Sequence, residues 1–179
     1  FPTGRNFYCT DPYSLPSEKA WETGVRLAEA AVQRYMDDNG AVPESIAVAW
    51  IVSDLSLFSG EIMAQILRLI GAEPVRGRNG KAIGFKVIPL EELGRPRIDV
   101  LVRVSGSVKL YYRNCIDLVD DAINAVAALD EPDEMNFVRR HTLESMSRGI
   151  PEDEAAARVF GAAPGGNSGM FYAIASGAW

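Results

Sequence analysis

The spacing of apolar residues predicts that the chain begins with a helix and continues into an alternation of strands and helices. The apolar positions from Trp21 to Tyr35 recur at helical spacing. Ser17 is the expected N-cap of this helix, and Gly40 is the expected stop. Residues 1–16 show no period and carry many prolines and aromatics, which predicts an irregular arm that lies against the body of the protein or a neighbouring domain.

Residues 45–52 are almost continuously apolar and predict a buried strand. A second helix is expected to start at Ser59-Gly60-Glu61 and to stop at Gly71. Residues 72–76 and 83–88 then read as two strands joined by a turn at Asn79-Gly80, the strongest short-range hairpin signal. A β-branched run over 98–104 predicts a further strand, which ends at Ser105-Gly106.

After Gly106 the pattern predicts helices over 112–129, 134–148 and 151–160, then a glycine-rich loop over 161–169. The predicted fold class is α/β: a mainly parallel sheet with an antiparallel hairpin, flanked by helices, with a C-terminal helical extension. We expect an arm over 1–16, an α/β domain over 17–130 and the helical extension with its loop over 131–179. Because the chain begins at Phe1, we expect a fragment of a larger subunit.

Composition argues against several classes of function. A net charge of −6 argues against a nucleic-acid binder and against docking on an anionic membrane. No apolar run approaches the ~20 residues of a membrane span, and no signal peptide is visible, so the cytoplasm is the default location. Cys9 and Cys115 have no CxxC partner and are expected to be buried or half-buried thiols.

The residues taken alone favour no single chemistry. There is no Walker A, GxGxxG, GxSxG or HExxH sequence, so ATP binding within the chain is not expected. His141 is the only histidine, which excludes a histidine-based metal cage. On a helix starting at Glu134, that carboxylate and His141 would share a face around a metal or a proton; a satisfied structural histidine is the alternative. Asn136 and Arg140 are their polar neighbours.

Two other places are candidates. Ligands collect at the carboxyl ends of parallel strands, so the strand end with Arg95, Asp99 and Ser105 is expected to lie at or near a site. Arg95 could pair with Asp99 as a structural ion pair or could hold a substrate carboxylate. Glu61, with Gln65 one turn later, lies at a helix N-terminus after the buried strand; it is either a ligand or base, or a carboxylate stabilised by the helix dipole.

The phrases GRPRIDV (94–100), DEPDEMNFVRRH (130–141) and AAARVFG (155–161) resemble the large subunit of cobaltochelatase and the H subunit of magnesium chelatase. This resemblance runs in order through nearly the whole chain. It implies a tetrapyrrole-binding subunit that inserts Co²⁺ or Mg²⁺, as substrate metal, into a corrin or porphyrin ring. It also implies partner AAA+ ATPase subunits that use ATP, and further domains of the same large subunit.

The resemblance implies site residues as well. Glu61 and His141 would handle metal or protons, and Glu134 would assist at the metal. The implied substrate-binding residues are Gln65, Arg95, Asp99, Ser105, Asn136 and Arg140.

The chain departs from the family pattern in three places. Residues 107–112 (SVKLYY) stand where the family has a Val-Phe-Arg-Asp-Leu-Phe type segment, so Lys109 replaces an arginine and Leu110 an aspartate. Ile51-Val52-Ser53 follows Trp50 where a Gly-Thr pair is usual, and Gly166-Asn167 stands in the late loop without the usual tyrosine. A non-catalytic tetrapyrrole-binding or structural domain derived from the family is therefore the alternative function.

Overall fold

The computed structural model describes residues 10–161 of the chain and contains, within them, eight α-helices and five strands. In chain order these elements are α1 (Glu18–Asn39), β1 (Ser45–Trp50), α2 (Val52–Leu57), α3 (Glu61–Ile70), β2 (Ala72–Arg76), β3 (Ala82–Val87), α4 (Leu90–Leu93), β4 (Asp99–Val104), α5 (Gly106–Tyr111), α6 (Arg113–Ala127), α7 (Phe137–Ser147), α8 (Glu152–Ala155) and β5 (Val159–Gly161).

A parallel sheet in the order β1-β4-β5 forms the centre of the fold. Ser45 pairs with Asp99 and Trp50 with Val104, so β1 and β4 are in register along their whole length. The alternate β4 residues Val100, Val102 and Val104 are buried against the helices. The predicted α/β class, with its mainly parallel sheet, hairpin and flanking helices, is confirmed.

The hairpin pairs β2 with β3 antiparallel, as predicted from Asn79-Gly80. Within residues 10–161 it forms a separate two-stranded sheet and does not extend the parallel one. The caps of the first helices also agree with prediction. The Ser17 hydroxyl accepts from the Ala20 N–H at 3.2 Å, and Gly40 and Gly71 end α1 and α3 with positive φ.

The C-terminal part differs from its prediction. Residues 151–160 were expected to form one helix, but α8 is a single turn and residues 159–161 form β5, parallel to β4. A three-residue strand has too few positions to show a period, and its pairing depends on a distant partner. Helix α7 begins at Phe137, not at 134, because Asn136 caps it by accepting from the Arg139 N–H.

Helices α1 and α3 cross closely because Gly24 has no side chain. A Cβ atom there would lie 2.4 Å from the Ala64 Cβ and 2.7 Å from the Glu61 carbonyl oxygen. The buried positions of α1 are Ala20, Gly24, Ala28 and Val32. The apolar positions at helical spacing extend beyond this buried face, since Tyr35 at their far end is exposed.

The other face of the parallel sheet is open within the described residues. Ala47 of β1, Leu101 of β4 and Phe160 of β5 are all exposed. The prediction that residues 45–52 form a fully buried strand is wrong in this respect, and the strand stops at Trp50. Its nearly continuous apolar sequence is typical of a strand that is covered on both faces. Within residues 10–161, however, only one face of this strand is covered.

The end of the N-terminal arm packs on the body. Leu15 is buried, and Pro16 lies against Gly60 at the start of α3. Residues 1–9 of the arm and residues 162–169 of the glycine-rich stretch, with Gly166-Asn167, lie outside the described residues, and the three-part domain division stays a prediction. Among the described helices, none combines the length and apolar character needed to cross a membrane.

Candidate functional site

Asp99 and His141 meet at the amino end of the parallel sheet. Asp99 is the first residue of β4, and its Oδ2 lies 2.8 Å from Nδ1 of His141 on α7. The Asp99 side chain is 7% exposed, while the histidine side chain keeps 25% of its surface in solvent. These residues lie 42 positions apart in sequence. The packing of α7 against β4 therefore makes this carboxylate–histidine pair.

Arg158 holds the other oxygen of the same carboxylate. Its Nε donates to Asp99 Oδ1 at 2.7 Å, and the Val100 N–H donates to Oδ1 at 2.9 Å. The remaining guanidinium nitrogens donate to the Ala155 carbonyl at 2.7 Å and to the Thr142 hydroxyl at 3.2 Å. Arg158 thus fixes Asp99 between α7 and the turn that leads into β5.

Arg140 and Glu44 lie on the solvent side of the histidine. An Nη2 atom of Arg140 lies 3.3 Å from His141 Nε2 and also bonds to Glu44. Its guanidinium stacks over the Phe137 ring at 4.7 Å from the ring centroid. The ring of Phe137 also stacks on His141, with centroids 6.5 Å apart. This amino-edge cluster consists of Glu44, Asp99, Arg140, His141 and Arg158.

Glu134 does not belong to the amino-edge cluster. It lies in the turn before α7 and is exposed, so the expectation that it shares a helical face with His141 is wrong. The helix starts three residues later than the pattern indicated, because Asn136 serves as its N-cap. Over the described part of the chain, no group of three or more His, Cys, Asp or Glu side chains could hold a metal ion.

Asn136 lies in a buried polar network around Arg97. The Arg97 guanidinium, 1% exposed, makes a bidentate pair with Glu131 at 2.7 and 2.9 Å. It also donates to the carbonyls of Gly71 and Ile88 at 2.9 and 2.8 Å. Asn136 Nδ2 donates to Glu131 at 2.9 Å. These contacts join the linker after α6 to the start of β4. Because all of them are made between protein groups, their role is structural.

Arg95 pairs with Glu29 of α1 and not with Asp99. Its Nε lies 3.0 Å from Glu29 Oε2, and it donates to the Arg68 and Leu69 carbonyls at the end of α3. Burial opposes ionisation of Glu29, but hydrogen bonds from Arg95 and Arg68 outweigh it and lower its pKa. Arg95 therefore forms an ion pair, as expected, but with Glu29 and not with Asp99. A role for Arg95 in binding a substrate carboxylate stays a prediction.

Ser105 lies at the opposite, carboxyl end of the sheet. About six residue steps of roughly 3.3 Å separate it from Asp99, so the two ends lie roughly 20 Å apart. The Ser105 hydroxyl is buried and has no hydrogen-bond partner in the described part of the chain. An orphaned buried hydroxyl costs free energy unless a ligand or another group completes it. The sequence had placed Arg95, Asp99 and Ser105 at one strand end; the structure separates them.

Glu61 and Gln65 lie on α3, near the carboxyl end of β1. Gln65 Nε2 lies 3.4 Å from the Glu61 carbonyl, and both side chains are half-buried. Asp54 occupies the N-terminus of α3, since its carboxylate accepts from the Ile62 and Met63 N–H groups at 2.8 and 3.3 Å. Burial raises the pKa of Asp54 in spite of these bonds. Glu61 and His141 therefore lie at opposite ends of the sheet.

Two of the family departures fall at this carboxyl end. Lys109 on α5 donates to the Gly161 carbonyl at 3.2 Å and so joins α5 to the end of β5. Leu110 and Tyr111, beside it, are exposed. Ile51 is exposed too, directly after β1. The departures change the surface around the carboxyl end and leave the amino-edge cluster intact.

The residues of these networks that were missed from sequence include Glu29, Glu44, Asp54, Glu131 and Arg158. Glu131 and Arg158 stand inside the DEPDEMNFVRRH and AAARVFG phrases, which carried a usable signal. Glu44 and Asp54 had none, because a single carboxylate at the start or end of a strand is common. Their partners could not be assigned without the tertiary structure.

The fold and its polar edge define a class: an α/β domain in which a clamped aspartate–histidine pair faces solvent at the amino end of a parallel sheet. The model of the CobN/Magnesium Chelatase family matches residues 1–179. The chain is 51% identical to an uncharacterized protein of Methanocaldococcus jannaschii, over 99% of the chain and 14% of that protein. It is 39% identical to the chloroplastic magnesium-chelatase subunit ChlH of Oryza sativa subsp. indica, over 99% of the chain and 13% of that subunit.

A solved structure gives the same assignment. The catalytic subunit of cobaltochelatase from Mycobacterium tuberculosis superimposes with a TM-score of 0.90 at 38% identity. The match covers 99% of this chain and 15% of that one. The chain therefore belongs to the CobN/Magnesium Chelatase family, and it spans about one-seventh of the length of these relatives.

Proposed function

We propose that the chain is part of the tetrapyrrole-binding large subunit of a metal chelatase, which inserts Co²⁺ or Mg²⁺ into a corrin or porphyrin ring. The observation that carries this proposal is the family match along residues 1–179, together with the likeness to a cobaltochelatase catalytic subunit. The metal is a substrate in this reaction. AAA+ ATPase subunits use the ATP, and the remaining domains of the large subunit complete the site.

Metal insertion requires two ring N–H protons to leave and a hydrated ion to lose water, which Mg²⁺ does reluctantly. A histidine that is hydrogen-bonded to a carboxylate suits the proton step, because the carboxylate stabilises the imidazolium that forms. His141 has this arrangement with Asp99 at 2.8 Å. In the proposal, His141 accepts a ring proton and returns it to solvent through its exposed side.

Arginine side chains suit the carboxylates that project from a tetrapyrrole, since a guanidinium binds a carboxylate with two parallel hydrogen bonds. Arg140 is the candidate at the amino-edge cluster. Its Nε is buried without a hydrogen-bond partner in the described residues, and Glu144 Oε1 lies 3.8 Å from it. An incoming carboxylate could take this nitrogen together with the neighbouring Nη.

The carboxyl end of the sheet supports a second contact region. Ser105 supplies an uncompleted hydroxyl there, and Glu61 a half-buried carboxylate at the start of α3. In the proposal, Glu61 handles metal or protons apart from His141, and Gln65 assists it. Arg95 and Asn136 contribute by holding β4 in place, since both contact protein groups on several sides.

The test uses the full-length subunit with its ATPase partners. Metal insertion is measured for His141→Ala, Glu61→Gln and Ser105→Ala, with Glu91→Gln, an exposed carboxylate on α4, as the matched control. We expect large losses of insertion rate for His141→Ala and Glu61→Gln and none for the control. Unchanged insertion in both variants would remove these two residues from the reaction.

The alternative is a non-catalytic tetrapyrrole-binding or structural domain. It is favoured by the changed residues at Lys109 and Leu110. A Soret-band titration of the full-length subunit with a porphyrin and with a corrin, followed by insertion assays, separates the possibilities. Binding without insertion would select the alternative, and no binding would select a structural role.

A further inference from the structure

The Asp99 carboxylate can only accept hydrogen bonds while it is paired with Arg158. Its Oδ1 receives the Arg158 Nε–H at 2.7 Å, and its Oδ2 faces His141 Nδ1 at 2.8 Å. The short contact to Nδ1 therefore requires a proton on that nitrogen. The neutral ring then carries its lone pair on Nε2.

The other ring nitrogen gives the same answer independently. Arg140 Nη2 lies 3.3 Å from His141 Nε2, and a guanidinium has donors but no acceptor. This contact is favourable only when Nε2 is unprotonated. The Glu44 carboxylate also faces Nε2, but its Oε2 lies 3.8 Å away, beyond hydrogen-bonding distance. The two hydrogen-bonding contacts of the ring thus select one tautomer, with the proton on Nδ1.

The two arginines differ in how firmly they are held. Arg158 is buried, and its nitrogens donate to Asp99, Thr142 and the Ala155 carbonyl, so it has no freedom to move away. Arg140 keeps 24% of its side chain exposed, and its carboxylate partner Glu44 is 56% exposed. An ion pair with one exposed partner is screened by solvent and contributes little free energy, so Arg140 can exchange Glu44 for another partner.

We propose that Arg158 is a positioning residue that acts through Asp99 to fix His141 as the Nδ1–H tautomer, and that Arg140 is a removable cap on the Nε2 lone pair. Uncapping would present Nε2 as a base toward solvent. Only the use of that base, to accept a ring proton during metal insertion, rests on the proposed function. The tautomer and the cap are properties of this chain and can be measured without any chelatase activity.

The tautomer is tested by ¹⁵N NMR of the chain at a pH where the imidazole is neutral. His141 is the only histidine, so one pair of ring signals needs no further assignment. We expect an unprotonated Nε2 and a protonated Nδ1. Arg158→Gln should shift the ring toward the mixture of tautomers that an unconstrained histidine side chain adopts in water. Thr142→Val, which removes one contact of Arg158 but not its bond to Asp99, should leave the tautomer unchanged.

An Nε2–H ring in the unaltered chain would overturn the inference, and this measurement does not depend on whether any variant folds. A folded Arg158→Gln chain with an unchanged tautomer would remove the positioning role. Loss of metal insertion with an intact tautomer bears on the proposed function alone, so the two failures are distinguishable.

The cap is tested by carbethoxylation of His141 with diethyl pyrocarbonate, followed by absorbance. We expect His141 to react several-fold faster in Arg140→Gln than in the unaltered chain, because the lone pair on its Nε2 is then free. The matched control is Arg139→Gln, whose arginine pairs with Asp130 and Asp133 and does not contact the ring in the described structure. Equal rates for the two variants would show that Arg140 does not cap Nε2.

Discussion

Arg97 and Glu131 form a bidentate ion pair in the protein interior, with Nε–Oε2 and Nη2–Oε1 distances of 2.7 and 2.9 Å. The pair joins the GRPRIDV phrase before β4 to the DEPDEMNFVRRH phrase before α7. Two residues after Arg97, Asp99 contacts His141 and makes a second link between the same phrases. The two phrases that best mark the family are therefore also in contact in space.

Removing the carboxylate of Glu131 should destabilise the chain strongly. In Glu131→Ala the Arg97 guanidinium, 1% exposed, loses its counter-charge, and stranded buried charges typically cost about 3–5 kcal/mol. Urea denaturation measures the free energy of unfolding. Glu91→Gln, an exposed carboxylate without buried partners in the described structure, should change it by less than about 0.5 kcal/mol. Similar values for both variants would contradict the prediction.

Asp54 should be equally important at the other end of the sheet. Its carboxylate accepts from the Trp50 indole at 2.8 Å and from two N–H groups at the start of α3. In Asp54→Ala these buried donors lose their acceptor, which should cost about 3 kcal/mol in the free energy of unfolding. Asp117→Ala, which breaks only an exposed pair with Arg113 on α6, is the control and should cost well under about 1 kcal/mol. An equal loss in the control would refute the role of Asp54.

The Glu29 cluster predicts a loss of stability in acid. Because the folded-state pKa of Glu29 lies below its ordinary value of 4.5, its stabilisation is complete above that value and is lost as the pH falls through the folded pKa. The Glu29 side chain is 37% exposed, so solvent screening limits the effect to about 1 kcal/mol. The free energy of unfolding, measured between neutral pH and acid, should fall less steeply in Glu29→Gln than in the unaltered chain. Parallel curves would contradict this.

Cys115 should be unreactive in the folded chain. Burial, with the nearby negative charge of Asp54 as a smaller cause, raises the pKa of its thiol to about 12. At a pH of about 8 the thiolate, which is the reactive form, is scarce, and Cys115 is only 1% exposed. Alkylation with iodoacetamide, followed by mass mapping of the Cys115 peptide, should show slow labelling in the folded chain and rapid labelling in denaturant. Equal labelling in both would show that the thiol is accessible.

Much of the local structure could be predicted from sequence because its causes lie within a few residues. Ser17 caps α1 through the Ala20 N–H, and Gly71 ends α3 because that position needs a positive φ. The errors occur where the cause is distant. Residues 159–161 form a strand only because β4 lies beside them. Glu134 lies outside α7 because Asn136, two residues after the expected start, serves as the cap.

The candidate site, like the fold, could be predicted from sequence only in part. Sequence alone named His141, Asp99 and Arg140, which meet in the amino-edge cluster, but it placed Asp99 beside Ser105 at a single strand end. The structure puts Asp99 and Ser105 at opposite ends of β4, because a strand of six residues spans the sheet. It also pairs Arg95 with Glu29 where Asp99 was the expected partner.

By itself, the sequence determined the elements, the α/β class and the family phrases, since periodicity, caps and turns depend on neighbours along the chain. Only the tertiary structure decided which charges pair. Arg97 and Glu131 are 34 residues apart, and Asp99 and Arg158 are 59 apart, so no local pattern connects them. Each pair exists because helices and strands from distant segments pack against β4, and burial leaves an ionised side chain only the partners that this packing supplies.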